Sequence, residues 1–358
     1  MIATRVSPWL PLAGLLVCQS AIAQGPAAPP SNAEAPADDL LSDDSLFELA
    51  PVTVTKQVER DDEDHAAGSV QSVSQATLEK MEYDDPHSVL LTVPGVYTRT
   101  EDAYGLRPNI GMRGGDVDRS KKLTLMEDGI LIGPAAYSAP AAYYFPLMTR
   151  MVGVEVWKGP SAIRFGPQTV GGAINLISRD IPDELSGGVD LATGMYLYRK
   201  GHAWVGGSHG PFGILLEGVE IGSDGFKELD TGGNTGFDRQ DFRLRARVQS
   251  DPSDSLFQRL EFLASYGHEH SNETYLGLTD SDFRATPYRR YAASEFDRMT
   301  WNRTEFRIRH TLEIEDVATI DTVAYRQDLS RLWRKVNGLR AGIAPIDILR
   351  DPTGRRSV

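Results

Sequence analysis

The sequence predicts an α+β domain followed by the first strands of an antiparallel transmembrane β-barrel, which the chain leaves incomplete. Three observations carry this expectation. Residues 151–179, MVGVEVWKGPSAIRFGPQTVGGAINLISR, set two strand-like runs, 152–157 and 172–177, around a Gly/Pro-rich connector that turns the chain back on itself. Beyond Pro182 the chain becomes alternating and β-rich. At the front, a short apolar run closed by small residues marks export.

Arg5 supplies a positive start, residues 9–17 are apolar apart from Pro11, and Ala21-Ile22-Ala23 precedes Gln24 as a small-x-small cleavage signal. Residues 1–23 therefore read as a secretory signal peptide. The run falls far short of the ~20 residues that a helix needs to span a bilayer. Val17 is bulky and suits a lipoprotein cleavage site before Cys18 poorly. Cys18 is the only cysteine, so a processed chain would hold no disulfide, thiolate metal site or thiol nucleophile. Residues 24–49 are rich in Ala, Pro, Asp and Ser and read as a disordered linker. They are too few for an additional folded domain, which needs on the order of 50 residues.

The net charge of −13 argues against a nucleic-acid binder, which needs a basic surface. Hydrophobic residues make up 41% of the chain and the mean hydropathy is −0.31. No later stretch is apolar for long enough to form a spanning helix. A barrel strand shows lipid only one residue in two, so low hydropathy is compatible with a membrane wall.

In chain order, residues 50–56 begin Ala50-Pro51-Val52-Thr53-Val54-Thr55, whose β-branched residues favour an extended backbone. Lys56 to His65 is a charged stretch. Residues 57–182 read as mixed α/β. Helices are expected at 75–83, begun near Ser74 or Thr77, and at 86–91, ended by Val93-Pro94-Gly95. Strands are expected at 70–73, 109–112, 123–126, 152–157 and 173–177. Glu127-Asp128-Gly129 forms a tight hairpin turn before 130–132. Residues 183–358 then carry seven barrel strands: 186–194, 202–208, 213–221, 242–249, 256–266, 303–312 and 318–328. Asp251-Pro252-Ser253-Asp254 reads as a short turn, and 222–238 and 268–300 as longer loops. Short turns alternating with long loops between ~10-residue strands are the pattern of an outer-membrane barrel.

The runs VLLTVPGV, IGMRGG, LTLMEDGILI and VEVWKGP…GGAINLISR occur in that order. Together they resemble the plug domain of TonB-dependent outer-membrane receptors, and they cover essentially the whole segment from about 66 to 182. The resemblance implies an α+β plug domain inside the barrel, and TonB-dependent import of a ferric chelate, a siderophore or ferric citrate. The family's barrel has about twenty-two strands. Seven strands ending at Arg355-Arg356-Ser357-Val358, with no terminal aromatic, are thus expected to be the N-terminal part of a longer receptor. The resemblance also makes residues 50–56, with Val52, Thr53, Val54 and Thr55, the TonB box, which pairs by strand addition with TonB of the inner-membrane energising complex. The other implied partners are the ferric chelate and outer-membrane lipid, with no nucleic acid. No cofactor is implied, because iron enters as chelated cargo.

In family members a basic residue at the positions of Arg113 and Lys158 pairs with barrel-wall glutamates. Lys158 stands where Arg is commoner and loses the bidentate fork; Glu217 and Glu261 are candidate partners for the pair. Plug loops at 104–109, 116–120 and 134–144 would meet the ligand. Anionic chelates need guanidinium donors, which makes Arg107 and Arg119 the plug candidates and Arg284, Arg289 and Arg290 the barrel-loop candidates, beside Tyr137 and Tyr143. Residues 165–172, with Ala142-Tyr143-Tyr144-Phe145-Pro146, most resemble the ferric citrate receptor subgroup.

Alternatives are a receptor for another cargo, such as a metal, cobalamin or a glycan, and a secreted β-rich binding module that transports nothing. An enzyme is not expected, since no Ser-His-Asp or paired-carboxylate arrangement is present. His268 and His270 share a strand face without a third fixed metal ligand, and 166–172 lack the Lys-Ser/Thr of a phosphate loop.

Overall fold

The computed structural model describes residues 68–336, apart from 103, 134–140, 142, 167–168 and 316. The expected signal peptide, the linker, residues 52–55 and Tyr137 lie outside the described residues.

The N-terminal domain is built on a five-stranded sheet in the order β1-β6-β7-β4-β5. Its strands are β1 (Ser69–Val73), β4 (Leu123–Glu127), β5 (Ile130–Leu131), β6 (Met151–Lys158) and β7 (Gly172–Ser178). β6 is antiparallel to both β1 and β7, and β4 runs parallel to β7. β6 and β7 are buried on both faces: Val154, Val156, Ile174 and Leu176 line one, and Trp157 and Ala173 the other, where Asn175 donates to Glu155 at 3.1 Å. A separate antiparallel pair joins β2 (Val96–Arg99) to β3 (Asn109–Met112); β2 was not among the expected strands.

Two short helices edge this sheet. In α1 (Gln75–Met81) the Ser74 hydroxyl caps the Thr77 N–H, and Glu82 ends the helix in the left-handed region. In α2 (Pro86–Leu90) Asp85 caps the His87 N–H and proline stands in the first turn. The connector between β6 and β7 carries a 3₁₀ turn, Pro160–Phe165.

From β8 onward the chain makes one antiparallel meander in the order β16-β15-β13-β12-β10-β9-β8. The strands are β8 (Ser186–Gly194), β9 (Tyr198–His209), β10 (Phe212–Ser223), β12 (Phe237–Gln249), β13 (Leu256–Asn272), β15 (Arg298–Ile314) and β16 (Ala318–Arg334). Two two-residue strands, β11 (Glu228–Leu229) and β14 (Arg289–Arg290), pair in the loops, and α3 (Asp280–Ala285) lies between them. One end of the sheet has short turns and the other long loops. β8 and β16 are edges, so the sheet is not closed. Among the described residues seven strands are found where seven were expected, but six of them, all except β8, run further into the long-loop end.

Along the sheet the faces alternate. Phe242, Phe306 and Ile308 are about half exposed on the outer face, while Arg243, Glu305 and Arg307 between them are buried on the inner one. The inner face packs against the N-terminal domain: Met299 and Trp301 of β15 belong to the same apolar cluster as Ile110, Val154 and Ile174. Tyr144 meets Trp301 edge-on, ring centroids 5.2 Å apart.

The plug–wall interface and the mouth as candidate functional site

Asp128 occupies the turn of the β4–β5 hairpin with φ of 51°, followed by Gly129 at 78°. This is the backbone that the Asp-Gly pair permits and most residues resist. The turn drives two carboxylates into the wall. Glu127 accepts from Arg150 Nη1 at 2.6 Å and Nη2 at 3.0 Å, and also from Arg243 of β12. Asp128 accepts from Arg245 of β12 and, at 3.2 Å, from Arg307 of β15. It also takes the Ser178 N–H at 2.9 Å and hydroxyl at 2.7 Å. Arg150 reaches on to Asp241 at 3.1 Å. Every side chain in this network is buried.

The register explains why the wall receives them. Across β12, β13 and β15, Arg243, Ser265 and Glu305 share one row; Arg245, Leu263 and Arg307 share the next; Arg247, Glu261 and Arg309 the next. Two arginine ladders therefore flank β13, about 9–10 Å apart at two strand spacings. Burial pushes the Glu127 carboxyl up, but Arg150 and Arg243 more than offset this and hold it well below the usual range. Burial is likewise outweighed at Asp128 by Arg245, Arg307 and Arg243, so its pKa is also well below normal.

Nearer the long-loop end a second set of contacts fixes the loop at 102–107. The Asp102 carboxylate accepts the N–H groups of Tyr104 (2.8 Å), Gly105 (2.7 Å), Leu106 (3.3 Å) and Arg107 (2.8 Å). Arg107 then reaches the wall, donating to Glu269 at 2.6 Å and Ser271 at 2.9 Å and pairing with Glu273 at 2.8 Å. Arg107 was expected to face the ligand. It is instead buried and ties plug to barrel, because three acids, Glu269, Glu273 and Asp102, surround its guanidinium.

The other expected residues scatter. Tyr143 is buried beneath the Arg331 guanidinium, 3.6 Å from the ring centroid, and so packs in the core rather than facing a ligand. Arg119 lies at 5.6 Å over the Trp333 ring. Arg284 is exposed and pairs along its helix with Asp280 at 3.0 Å. Arg289 grips Asp230 with both nitrogens, at 2.7 and 3.0 Å. Among the described residues the Arg290 side chain donates only to carbonyls, of Pro287 at 3.0 Å and Arg289 at 2.6 Å.

Among the described residues neither Arg113 nor Lys158, expected to reach the wall, pairs with a wall glutamate. Arg113 is exposed, and Lys158 is held inside the plug by Gln71 and, at 2.8 Å, by the Pro94 carbonyl. Burial, and then the like charge of Arg113, push the Lys158 pKa down. Glu217, a candidate partner for this pair, faces His202 at 2.9 Å and Arg179 at 3.9 Å instead. Glu261, the other candidate, lines a cavity of about 20 Å³ with Asp128, Arg245, Arg307 and Arg309.

Sequence reasoning missed the residues that do most of the holding: Asp102, Glu127, Asp128, Arg150, Arg243, Arg245 and Arg307. The run Arg239-x-x-x-Arg243-x-Arg245-x-Arg247 on one strand face was the available signal. It also missed Lys227, in the loop after β10, which donates to Thr274 at 3.1 Å. Burial and then the neighbouring Arg290 push the Lys227 pKa down. Among the described residues neither Lys227 nor Arg290 has a carboxylate partner within 4 Å. Around them Phe226 collects the rings of Tyr104 (6.0 Å), Tyr196 (6.1 Å) and Tyr288 (5.8 Å).

Comparison with known proteins agrees with this architecture. Residues 62–173 match the TonB-dependent Receptor Plug Domain family. The iron-regulated outer membrane virulence protein of Vibrio cholerae serotype O1 is 28% identical over 136 residues, covering 36% of this chain and 20% of that protein. The fold is similar to the unliganded ferric citrate transporter FecA, with a TM-score of 0.65 at 20% identity over 78% of this chain and 42% of that one. It is also similar to the ferric yersiniabactin uptake receptor FyuA of Yersinia pestis, with a TM-score of 0.59 at 15% identity over 76% and 43%. The chain thus spans about a fifth of the curated relative and less than half of these solved receptors. The family is one of receptors, not enzymes. Residues 62–173 are thus a TonB-dependent receptor plug domain by their match, and with the strands packed around them the chain has the fold of the N-terminal part of the outer-membrane receptors it resembles.

Proposed function

We propose that this receptor imports a ferric chelate across the outer membrane, energised through residues 52–55 by the inner-membrane TonB complex. One observation carries the energetic part of this reading. The plug is fastened to the wall by buried ion pairs at Glu127, Asp128, Arg150 and Arg107. Breaking one such pair costs about 3–5 kcal/mol. Several together make spontaneous opening rare, so passage past the plug calls for work from outside. Residues 52–55 suit that input, since an extended Val-Thr-Val-Thr run can add to the edge of a partner's sheet.

The resemblance to receptors for ferric citrate and ferric yersiniabactin supports a ferric chelate as cargo. Lys227 and Arg290, cations near the mouth without carboxylate partners among the described residues, suit an anionic one. The test is Val54→Pro in the complete receptor, which removes a backbone donor from the added strand. Uptake of the chelate should stop while binding at the cell surface persists; normal uptake would refute the energising role of 52–55. Iron-limited growth on ferric citrate and a set of siderophores identifies the cargo. Growth on none of these, with rescue by cobalamin, a glycan or another metal, would redirect the reading.

A further inference from the structure

The ladders on β12 and β15 hold more positive charge than β12, β13 and β15 themselves neutralise. On the inner-face positions of β12, β13 and β15 stand eight arginines, 239, 243, 245, 247, 259, 303, 307 and 309, against five acids, Asp241, Glu261, Glu269, Glu305 and, exposed at the short-turn end, Glu313. Much of the balance is lent by the plug side. Arg243 is met by Glu127 and by Ser178 at 2.6 Å. Arg245 is met by Asp128, Ser178 and, at 4.0 Å, Asp180. Among the described residues Arg309 donates only to the Asp128 carbonyl, at 3.2 Å. Arg307 keeps Glu305 at 2.7 Å but shares Asp128. When the plug moves, these partners leave with it.

Two further observations point to a ligand. The Nε–H groups of Arg239, Arg243, Arg245 and Arg247 are buried and make no hydrogen bond, so one arginine face keeps donors in reserve along its whole length. The cavity beside Asp128, at about 20 Å³, already has room for a water-sized group between the two ladders. From Arg239 to Arg247 the donors extend about 27 Å along the wall, toward the short-turn end.

We infer that the paired arginine ladders are a transit site for the carboxylate or phenolate groups of an anionic ferric chelate, and that Glu127 and Asp128 occupy it at rest in the cargo's place. This rests on the import reading above and adds what the path recognises. An oxyanion entering the rungs replaces the departing carboxylates, so the wall is never left with uncompensated buried charge. Exchange of one anion for another lowers the cost of unseating the plug for charged cargo and leaves it high for neutral cargo. The acids already in the groove do not abolish this. Glu305 stays with Arg303 and Arg307, while Glu269 and Asp241, released by Arg107 and Arg150 when the plug moves, stand toward the mouth from Arg243, Glu269 opposite Arg239.

The test uses the complete receptor and has two arms. In the first, Asp128→Asn, alone and with Glu127→Gln, empties the rung without changing shape. Sulfate or citrate should then raise the thermal midpoint of the variant well beyond sodium chloride at matched ionic strength. The wild type should show no such preference, and adding Arg245→Gln and Arg307→Gln should remove it. An equal response to sulfate and chloride overturns the proposal. In the second arm, Arg247→Gln lies far from the mouth and does not touch the hairpin. It should leave surface binding of labelled ferric citrate or a ferric tris-catecholate unchanged and slow uptake about tenfold, the loss of one charge-assisted contact. Arg247→Lys should retain most of the rate. Unchanged uptake in Arg247→Gln also overturns the proposal, and this arm decides alone if the hairpin variants do not assemble. If the wild type takes up no ferric chelate, the import reading fails while the sulfate arm still judges the ladders.

Discussion

The Asp128 carboxylate accepts from the Arg307 guanidinium at 3.2 Å although the two residues stand 179 positions apart in the chain. One is the turn of a plug hairpin and the other a rung of the wall. Between them they define where the plug sits and in which rotation, because the next rungs up and down are occupied by other pairs.

Asp128→Ala should loosen the plug more than the wall. Arg245 and Arg307 would lose a shared buried acceptor, at a cost of about 3–5 kcal/mol. Limited proteolysis of the folded receptor should cut within residues 68–178 much faster, while the barrel strands stay protected. Unchanged cleavage would show that this contact holds nothing.

The seat should resist mild acid. Glu127 and Asp128 ordinarily titrate at 4.5 and 3.8. Their folded values are lowered, so their contribution is complete above the ordinary values and is lost as pH falls through the lowered ones. Plug protection should therefore be flat from about pH 8 to about pH 5 and fade only below about pH 4. Release between pH 5 and 7, followed by proteolysis or hydrogen exchange, would assign the seat to other groups.

Gly172→Ala should destabilise the plug where Gly166→Ala is milder. Gly172 has φ of +145°, and an added Cβ would fall 2.4 Å from the Trp157 carbonyl oxygen and 2.6 Å from Met112 Sδ. Backbone strain alone costs about 1–3 kcal/mol, and the clash adds to it. Gly166 has φ of +106° with nothing within 4 Å of its Cβ. Thermal melts of the two variants should differ in that order.

Asp102→Ala should free the loop beneath the mouth. Four backbone N–H groups lose their shared acceptor, so the amides of residues 104–107 should exchange faster by hydrogen-exchange mass spectrometry. Arg107→Ala should have a larger effect on stability, about 3–5 kcal/mol, since it strands Glu269 in the interior.

Phe306→Arg should impair membrane assembly. Phe306 stands mid-strand on the outer face of β15 and is 50% exposed. A charge facing lipid at mid-depth costs about 2–4 kcal/mol. Reduced recovery in the outer-membrane fraction checks this.

The wall was legible wherever one face was apolar and the other polar. Phe242 to Val248 alternates cleanly, and its strand was found to its true end at Gln249. The same strand begins five residues earlier, at Phe237. Asp238, Arg239, Gln240 and Asp241 are polar on both faces, so periodicity vanishes there although the backbone pairing continues. The strands of the five-stranded plug sheet were found to within a residue or two because β-branched and apolar residues dominate them. In contrast β2, with Tyr97 and Thr98 half-buried and Arg99 exposed, was missed. The seat was not legible. Arg243, Arg245 and Arg307 read as lumen charges, and nothing local says that a turn more than a hundred residues earlier supplies their acceptors. Arg107 failed for the same reason: a basic residue in an outward loop reads as a ligand donor until Glu269 and Glu273 are brought to it.

The separation between Glu127 and its wall partner Arg243, 116 positions, also sets an order of assembly. The plug can close its own sheet from residues 69 to 178 as soon as they have crossed the inner membrane. Its acids then wait, hydrated, until β12 and β15 follow. Contacts of such span form late, since the chain between must first be ordered. Seating is therefore a finishing step of biogenesis, and a receptor with a completed barrel and an unseated plug is the intermediate that a slow or damaged hairpin would accumulate.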